Sequence, residues 1–69
     1  MTDNLQVMVE GKKETISVGD SFTKEELEKK GCPYSTSYAY HFFKCNGHLI
    51  ATDLKDGKYK VKVIFPNPN

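Results

Sequence analysis

The feature that most constrains the fold of this chain is an Asn-Gly pair, Asn46-Gly47, set between apolar stretches in FFKCNGHLIA. Asn-Gly is a strong signal for a two-residue type I′ turn, because both central residues of that turn need a positive φ. The pair therefore predicts a β-hairpin. Its facing pairs are Cys45 with His48, Lys44 with Leu49, Phe43 with Ile50, and Phe42 with Ala51.

Two further stretches alternate apolar and polar residues with the period of two that is typical of a half-buried strand. LQVMVEGKKETISV, residues 5–18, predicts a hairpin with a loop over residues 10–13, which sets Leu5 opposite Val18 and Val7 opposite Ile16. KYKVKVIF, residues 58–65, follows a second turn, DLKDG. Its alternation predicts a strand with one apolar face, formed by Tyr59, Val61, Val63 and Phe65.

A short helix is predicted between these hairpins, in SFTKEELEKKG. Thr23 is a favourable N-cap, and Glu26 three residues later completes a capping box. Gly31 suits the first position after the helix, where a left-handed conformation is common, and Pro33 prevents continuation. The helix spans only about two turns, so packing against the sheet must hold it in place.

The resulting order, strand–strand–helix–strand–strand–strand, resembles that of the β-grasp superfamily, which includes ubiquitin and the small sulfur-carrier proteins. The matching motifs cover most of residues 5–65: LQVMVEGKKETISV, SFTKEELEKKG, FKCNGHLIA and LKDGKYKVKVIF. The resemblance implies an α+β, ββαβββ fold. Its mixed sheet has the last strand parallel beside the first, with the helix packed on one face. The chain ends in FPNPN and not in Gly-Gly, so the resemblance implies partner binding through the sheet face rather than conjugation.

Length and composition predict one small domain over residues 1–69, with an ordered core over about residues 4–66. No apolar run approaches the roughly 20 residues of a membrane helix, and the N-terminal residues lack the charged and apolar regions of a secretory signal. A cytoplasmic location with reduced cysteines is therefore expected. A disulfide between Cys32 and Cys45 is expected only if the protein matures outside the cell.

The cysteines and histidines of the chain, Cys32, His41, Cys45 and His48, fall within residues 32–48 and raise the question of a zinc site. On a continuous strand His41 lies roughly 13 Å from Cys45, at about 3.3 Å per residue, which is too far for one tetrahedral ion. No third group orients a Cys45–His48 catalytic pair, and no phosphate loop or metalloprotease helix is present. We therefore expect a protein that is not an enzyme and that has no cofactor or metal.

The sheet surface is the stronger indication of function. If Phe43 and Ile50 join Val7, Ile16, Leu27, Val61 and Val63 in the core, the alternate residues face outward, with Ile64, Gln6 and Met8 among them. The predicted partner-binding residues are Met8, Tyr40, Phe42, Lys44, Leu49, Lys58, Lys60 and Lys62. The opposite orientation of this hairpin would bury Tyr40, Phe42 and Leu49 and expose His41, Phe43 and Ile50.

Charge is unevenly distributed along the chain. Residues 1–31 hold five Lys and seven acidic residues, and residues 32–69 hold five Lys and two acidic residues, while arginine is absent. The exposed sheet face favours a small protein-binding module, such as an adaptor, a complex subunit or an inhibitor. The alternative is single-stranded nucleic-acid binding, with aromatics stacking on bases and lysines following the backbone. The absence of arginine weighs against that alternative.

Overall fold

Seven β-strands and one short helix make up the part of the chain that the computed structural model describes, residues 2–35 and 41–66. In chain order the elements are β1 (Asn4–Val9), β2 (Lys12–Ser17), β3 (Ser21–Phe22), α1 (Lys24–Lys29), β4 (Tyr34–Ser35), β5 (His41–Cys45), β6 (His48–Lys55) and β7 (Lys58–Phe65). Within these residues no helix is long and apolar enough to cross a membrane.

Three two-residue turns of one kind join β1 to β2, β5 to β6 and β6 to β7. Their central pairs are Glu10-Gly11, Asn46-Gly47 and Asp56-Gly57, with φ values of 51° and 80°, 48° and 81°, and 54° and 77°. Positive φ at both positions is the signature of the type I′ turn, whose twist matches that of the flanking strands. The turn predicted at Asn46-Gly47 is confirmed.

Of the two predicted hairpin registers, one is confirmed and the other is wrong. The β5–β6 pairing is confirmed residue by residue, from Phe42 opposite Ala51 to Cys45 opposite His48. In the first hairpin the predicted register is wrong, because Leu5 faces Ile16 and not Val18. The turn there uses Glu10-Gly11 alone, with Gly11 at a φ that suits glycine, and so the loop is two residues shorter than expected.

The strands form two separate antiparallel sheets. One is the β1–β2 hairpin, and the other has five strands in the order β3-β7-β6-β5-β4. The prediction of an α+β, β-grasp-like ββαβββ fold with a mixed sheet is therefore wrong. The described residues are mostly β-structure with one six-residue helix, and among them the last strand β7 pairs in antiparallel fashion with β3 and β6.

Backbone hydrogen bonds explain why β1 is not beside β7. On the edge of β7 away from β6, the carbonyl of Val61 accepts from the Gly19 N–H at 2.9 Å, and the Val61 N–H donates to the Asp20 carbonyl at 2.8 Å. Buried backbone groups are almost always paired, so the segment after β2 satisfies the groups that a parallel neighbour would need. The β1–β2 hairpin instead forms a second layer over the sheet.

A β-bulge between β6 and β7 changes which residues of β7 face the core. Ala51 pairs with Val63 but Thr52 pairs with Val61, so Lys62 has no facing residue. An extra residue in one strand reverses the inward and outward positions beyond it. Val61 and Ile64 are buried as a result, while Val63 is only half-buried. The predictions that Val63 is in the core and that Ile64 faces outward are wrong for this reason.

One core lies between the hairpin and the five-stranded sheet. Its buried apolar residues are Leu5, Val7, Ile16, Leu27, Cys32, Phe43, Cys45, Ile50, Val61 and Ile64. The predicted orientation of the β5–β6 hairpin, with Phe43 and Ile50 inside, is confirmed. Leu27 joins this core from α1, so the helix packs on the same side of the sheet as the hairpin.

A disulfide links Cys32, just after the helix, to Cys45 at the end of β5, with both residues fully buried. The expectation that both cysteines are reduced is wrong. Reduced cysteines were expected from the compartment alone, whereas the connection from α1 to β4 places the Cα atoms of the two cysteines 4.3 Å apart.

The entry to α1 is the predicted capping box. The Thr23 hydroxyl accepts from the Glu26 N–H at 3.1 Å, and the Glu26 carboxylate accepts from the Thr23 N–H at 2.8 Å. This bond to the Thr23 backbone is the main reason that the pKa of Glu26 is lowered, with smaller contributions from the Thr23 side chain, Lys58 and Lys30. The predicted glycine after the helix is also confirmed, since Gly31 has a φ of 79°.

Candidate protein-binding face

The outer face of the five-stranded sheet, turned away from the core, carries a continuous group of apolar side chains. Two rows cross β5, β6 and β7: one consists of Phe42, Ala51 and Val63, and the next of Lys44, Leu49 and Phe65. Facing residues on neighbouring strands have Cβ atoms about 4.5 to 5.5 Å apart, so the rows have no gaps. We refer to the apolar members, Phe42, Leu49, Ala51, Val63 and Phe65, as the apolar strip.

Two phenylalanine rings form the most prominent part of the apolar strip. Phe42 and Phe65 lie on strands separated by β6, yet their rings are stacked with centroids 6.4 Å apart and planes inclined by 27°. Backbones two strands apart are separated by about 10 Å, so the rings must lean toward each other. The residue between them in the first row is Ala51, whose methyl group leaves room for that approach. Phe65 remains 37% exposed, and the other four members of the strip are half-buried.

Charged side chains border the strip on two sides. Lys44 occupies the β5 end of the second row, opposite Leu49. Beyond the first row, Asp53 faces Lys60, and the Lys62 Nζ lies 3.4 Å from Asp53 Oδ2. Both members of that ion pair are more than half exposed, so it contributes little to stability. The surroundings of the strip are therefore cationic, with one acid.

The structure brings together part of the predicted partner-binding set. Phe42, Lys44 and Leu49 lie in the two rows, and Lys60 and Lys62 lie in the adjoining part of the same face.

Lys58 lies at the far end of β7, and its charge contributes to the lowered pKa of Glu26, so it belongs to the end of the sheet near the helix. Tyr40 falls outside the described residues.

Met8 does not share the face to which the sequence analysis assigned it. It is 60% exposed on β1, which pairs with β2 in the other layer. Because Leu5 and Val7 turn toward the core, Gln6 and Met8 face solvent on the far side of the molecule from the apolar strip. The assignment failed because it assumed a single sheet containing both β1 and β7.

Two residues of the strip, Val63 and Phe65, were missed. Simple alternation along β7 placed both on the same face as Val61, and the bulge at Lys62 turns them outward. The available signal is the run Val63-Ile64-Phe65, three consecutive apolar residues that no strictly alternating, half-buried strand accounts for. A break in alternation of this kind is compatible with a bulge.

The Cys45–His48 pair at the Asn46-Gly47 turn has a structural explanation. Cys45 is bonded to Cys32, so it supplies no thiolate for a metal or a substrate. The His48 Nδ1 lies 3.2 Å from the Asn46 carbonyl, within the turn itself. Among the described residues no group of three or more His, Cys, Asp and Glu side chains could hold a metal ion.

An aromatic cluster lies on the inner side of the sheet, with half-buried Tyr34, His41 and Tyr59 around buried Phe43. Phe43 contacts Tyr34 and Tyr59 edge-on, with ring centroids 5.2 and 5.0 Å away. The Tyr34 hydroxyl lies 3.2 Å from His41 Nδ1, and Lys24 Nζ sits 5.3 Å from the centre of the Tyr34 ring. These contacts close the core beside the helix.

A shallow groove of about 180 Å³ separates the hairpin from the helix. Lys30 crosses it, forming an ion pair with Glu14 on β2 and lying 5.3 Å from the centre of the Phe22 ring. Its charge is therefore already engaged in joining the two elements, and we assign the groove a structural role.

The fold and this face together define a small antiparallel β-protein with one disulfide and an apolar, lysine-bordered sheet surface. Comparison of the chain with known protein families, with curated proteins and with solved structures finds no match. The comparisons therefore leave the resemblance to the β-grasp superfamily untested.

Proposed function

We propose that the protein is a small non-enzymatic interaction module that binds a partner protein through the apolar strip. The observation that carries this proposal is the Phe42–Phe65 stack, which lies on the side of the sheet opposite the core. Leu49 and Val63 lie in the same two rows as the stacked rings, so the apolar surface is continuous. Phe65 is exposed and its neighbours in the strip are half-buried, so the surface is a contiguous, partly exposed apolar patch. Contiguous apolar patches with polar borders are typical of interaction sites, whereas single exposed apolar residues are ordinary.

The composition of the strip also favours a protein partner. Aromatic side chains are enriched in the centres of protein interfaces, and charged residues are concentrated at their rims. The strip follows that arrangement, with phenylalanines at the centre and Lys44 and Lys60 outside. It lies on three strands of a sheet whose inner side is packed against the core, so little ordering is needed on binding.

Single-stranded nucleic acid is the less favoured occupant of the same face. Bases stack on open ring faces, and the inner faces of Phe42 and Phe65 are turned toward each other. Lys62 is paired with Asp53, and the chain has no arginine. A role in nucleic-acid binding is therefore an outcome that the experiment below must be able to detect.

The cytoplasmic location expected from the sequence stays a prediction. The Cys32–Cys45 disulfide is an argument against it, because cytosolic thiols are kept reduced. Capture experiments should therefore include both cell lysate and medium or periplasmic fractions, under conditions that keep the disulfide intact.

Replacing Leu49 and Phe65 together with serine is expected to reduce partner capture at least tenfold, because the change removes apolar contact from the second row. The measurement is affinity capture from extracts of the source cells, followed by mass spectrometry, with and without nuclease. We expect the wild-type chain to retain a protein partner after nuclease treatment, and the Leu49→Ser, Phe65→Ser variant to lose it.

The matched control replaces Met8 and Val18 with serine. Met8 is 60% exposed on β1 and Val18 is 44% exposed just after β2, so the control also removes two exposed apolar side chains. Both variants should keep the wild-type circular dichroism spectrum. Equal capture by the strip variant and the wild type would contradict the proposal, and loss of all captured material with nuclease would assign the face to nucleic acid.

A further inference from the structure

The lysines around the apolar strip differ in whether they are already neutralised. Lys62 is paired with Asp53. Within residues 2–35 and 41–66, neither Lys44 nor Lys60 forms a salt bridge, although Lys60 faces Asp53 across the strands. Two exposed ammonium groups therefore border the strip without an ion-pair partner among the residues that the structure describes.

Their positions differ with respect to the strip. Lys44 belongs to the second row, at its β5 end, while Lys60 lies beyond the first row on β7. The outward positions of β5, β6 and β7 nearest the strip thus carry Lys44, Lys60 and Lys62 against the single acid Asp53. A ligand that covers the strip meets positive charge at both ends and apolar surface between them.

The acids of the molecule are concentrated elsewhere. Helix α1 exposes Glu25, Glu26 and Glu28 on the side of the sheet that faces the core. Lys24, Lys29 and Lys30 balance these three carboxylates, so the polarity of the molecule comes from residues 1–31 as a whole, which hold seven acidic residues and five Lys, and from the net positive outer sheet face. Such a field orients a charged partner during encounter and raises its association rate.

We propose that the partner presents an acidic polypeptide segment whose apolar side chains occupy the strip while flanking carboxylates meet Lys44 and Lys60. This inference rests on the proposed function and names the chemistry of the partner. Protein carboxylates on the two sides of an apolar centre complement this arrangement. A nucleic acid, which carries a phosphate at every residue, would also place negative charge over the apolar centre.

Two peptide probes with the same Leu-Phe-Leu centre test the inference, one flanked on each side by two glutamates and the other by two glutamines. We expect the acidic peptide to bind at least tenfold more tightly in low salt, with amide shifts at Lys44, Leu49 and Lys60 in NMR titrations. The preference should decrease as salt is raised, since exposed charges are screened.

The variant Lys44→Gln, Lys60→Gln should abolish the preference for the acidic peptide. Its matched control, Lys12→Gln, Lys13→Gln, removes two exposed lysines of β2 and should keep that preference, because it changes net charge equally but leaves the strip intact. A preference that persists without Lys44 and Lys60 would overturn the inference.

The two proposals fail in distinguishable ways. Equal binding of both peptides at the strip would overturn the acidic-partner inference and leave the proposed function standing. The absence of amide shifts at the strip with either peptide would also overturn the inference, while the capture experiment with Leu49→Ser, Phe65→Ser judges the proposed function separately. Tighter binding of a deoxythymidine oligonucleotide than of the acidic peptide would overturn it in favour of nucleic acid.

Discussion

Replacing Cys32 and Cys45 together with alanine is expected to lower the free energy of unfolding by about 3 kcal/mol, because a cross-link restricts the unfolded chain. The two cysteines are separated by 13 residues and both are buried, so the loop they close includes the end of the helix, β4 and β5. Urea unfolding followed by circular dichroism measures the difference. For a domain of this size such a loss is a large part of the total stability.

The wild-type protein treated with a reductant is the control for this effect. It should become as easy to unfold as the alanine variant, which should itself be insensitive to reductant. Mass spectrometry of the untreated protein should show the mass lost when two thiols are oxidised. Equal unfolding free energies for oxidised and reduced protein would contradict the stabilising role assigned to the disulfide.

Replacing Phe43 with alanine is expected to destabilise the protein by about 3 to 5 kcal/mol, since it opens a cavity in a closely packed core. Phe43 is fully buried on β5, and its ring contacts Tyr34 and Tyr59 edge-on. Thermal and urea unfolding should show a variant that is largely unfolded at room temperature. A small domain has no other core to compensate for that loss.

The neighbouring residue Phe42 provides a matched control, because the same substitution is made one position away on the opposite face of β5. Phe42→Ala removes the stack with Phe65 and is expected to destabilise by about 1 kcal/mol, the scale of an aromatic pair. If Phe42→Ala were the more damaging substitution, the orientation of the β5–β6 hairpin would be reversed.

Local features of the fold were predictable from the sequence. Asn46-Gly47 specified both the turn and the register of the β5–β6 hairpin, because a two-residue turn leaves only one way to pair the flanking strands. Thr23 and Glu26 likewise specified the start of the helix through hydrogen bonds within four residues. In each case the interacting groups are close neighbours in sequence.

The arrangement of the sheets was not predictable by the same means. Alternation shows that β1 and β7 each have an apolar face, but it does not show whether they share a sheet. That choice depends on contacts distant in sequence, such as the bonds of Val61 to Gly19 and Asp20 and the disulfide from Cys32. The β-grasp analogy supplied a topology, and these contacts give a different one.

Only part of the candidate site was predicted, because the rest depends on the arrangement of the strands in the sheets. Phe42, Lys44 and Leu49 lie on the well-specified hairpin and were placed correctly on its outer side. Val63 and Phe65 depend on the bulge at Lys62, and Met8 depends on the layer to which β1 belongs. The contact between Phe42 and Phe65 at the centre of the strip therefore depends on the position and register of β7 in the sheet.

The most direct test that the apolar strip is the binding surface is oxidative labelling of side chains. The labelling is compared between the free protein and its complex with the captured partner. The proposed function predicts that labelling of Phe65 and Leu49 falls at least severalfold in the complex, while labelling of Met8, 60% exposed on the opposite layer, is unchanged. Phe43, which is buried, serves as an internal reference and should remain unlabelled in both states. Protection of Met8 with Phe65 labelled as in the free protein would contradict the assignment and place the partner on the hairpin layer.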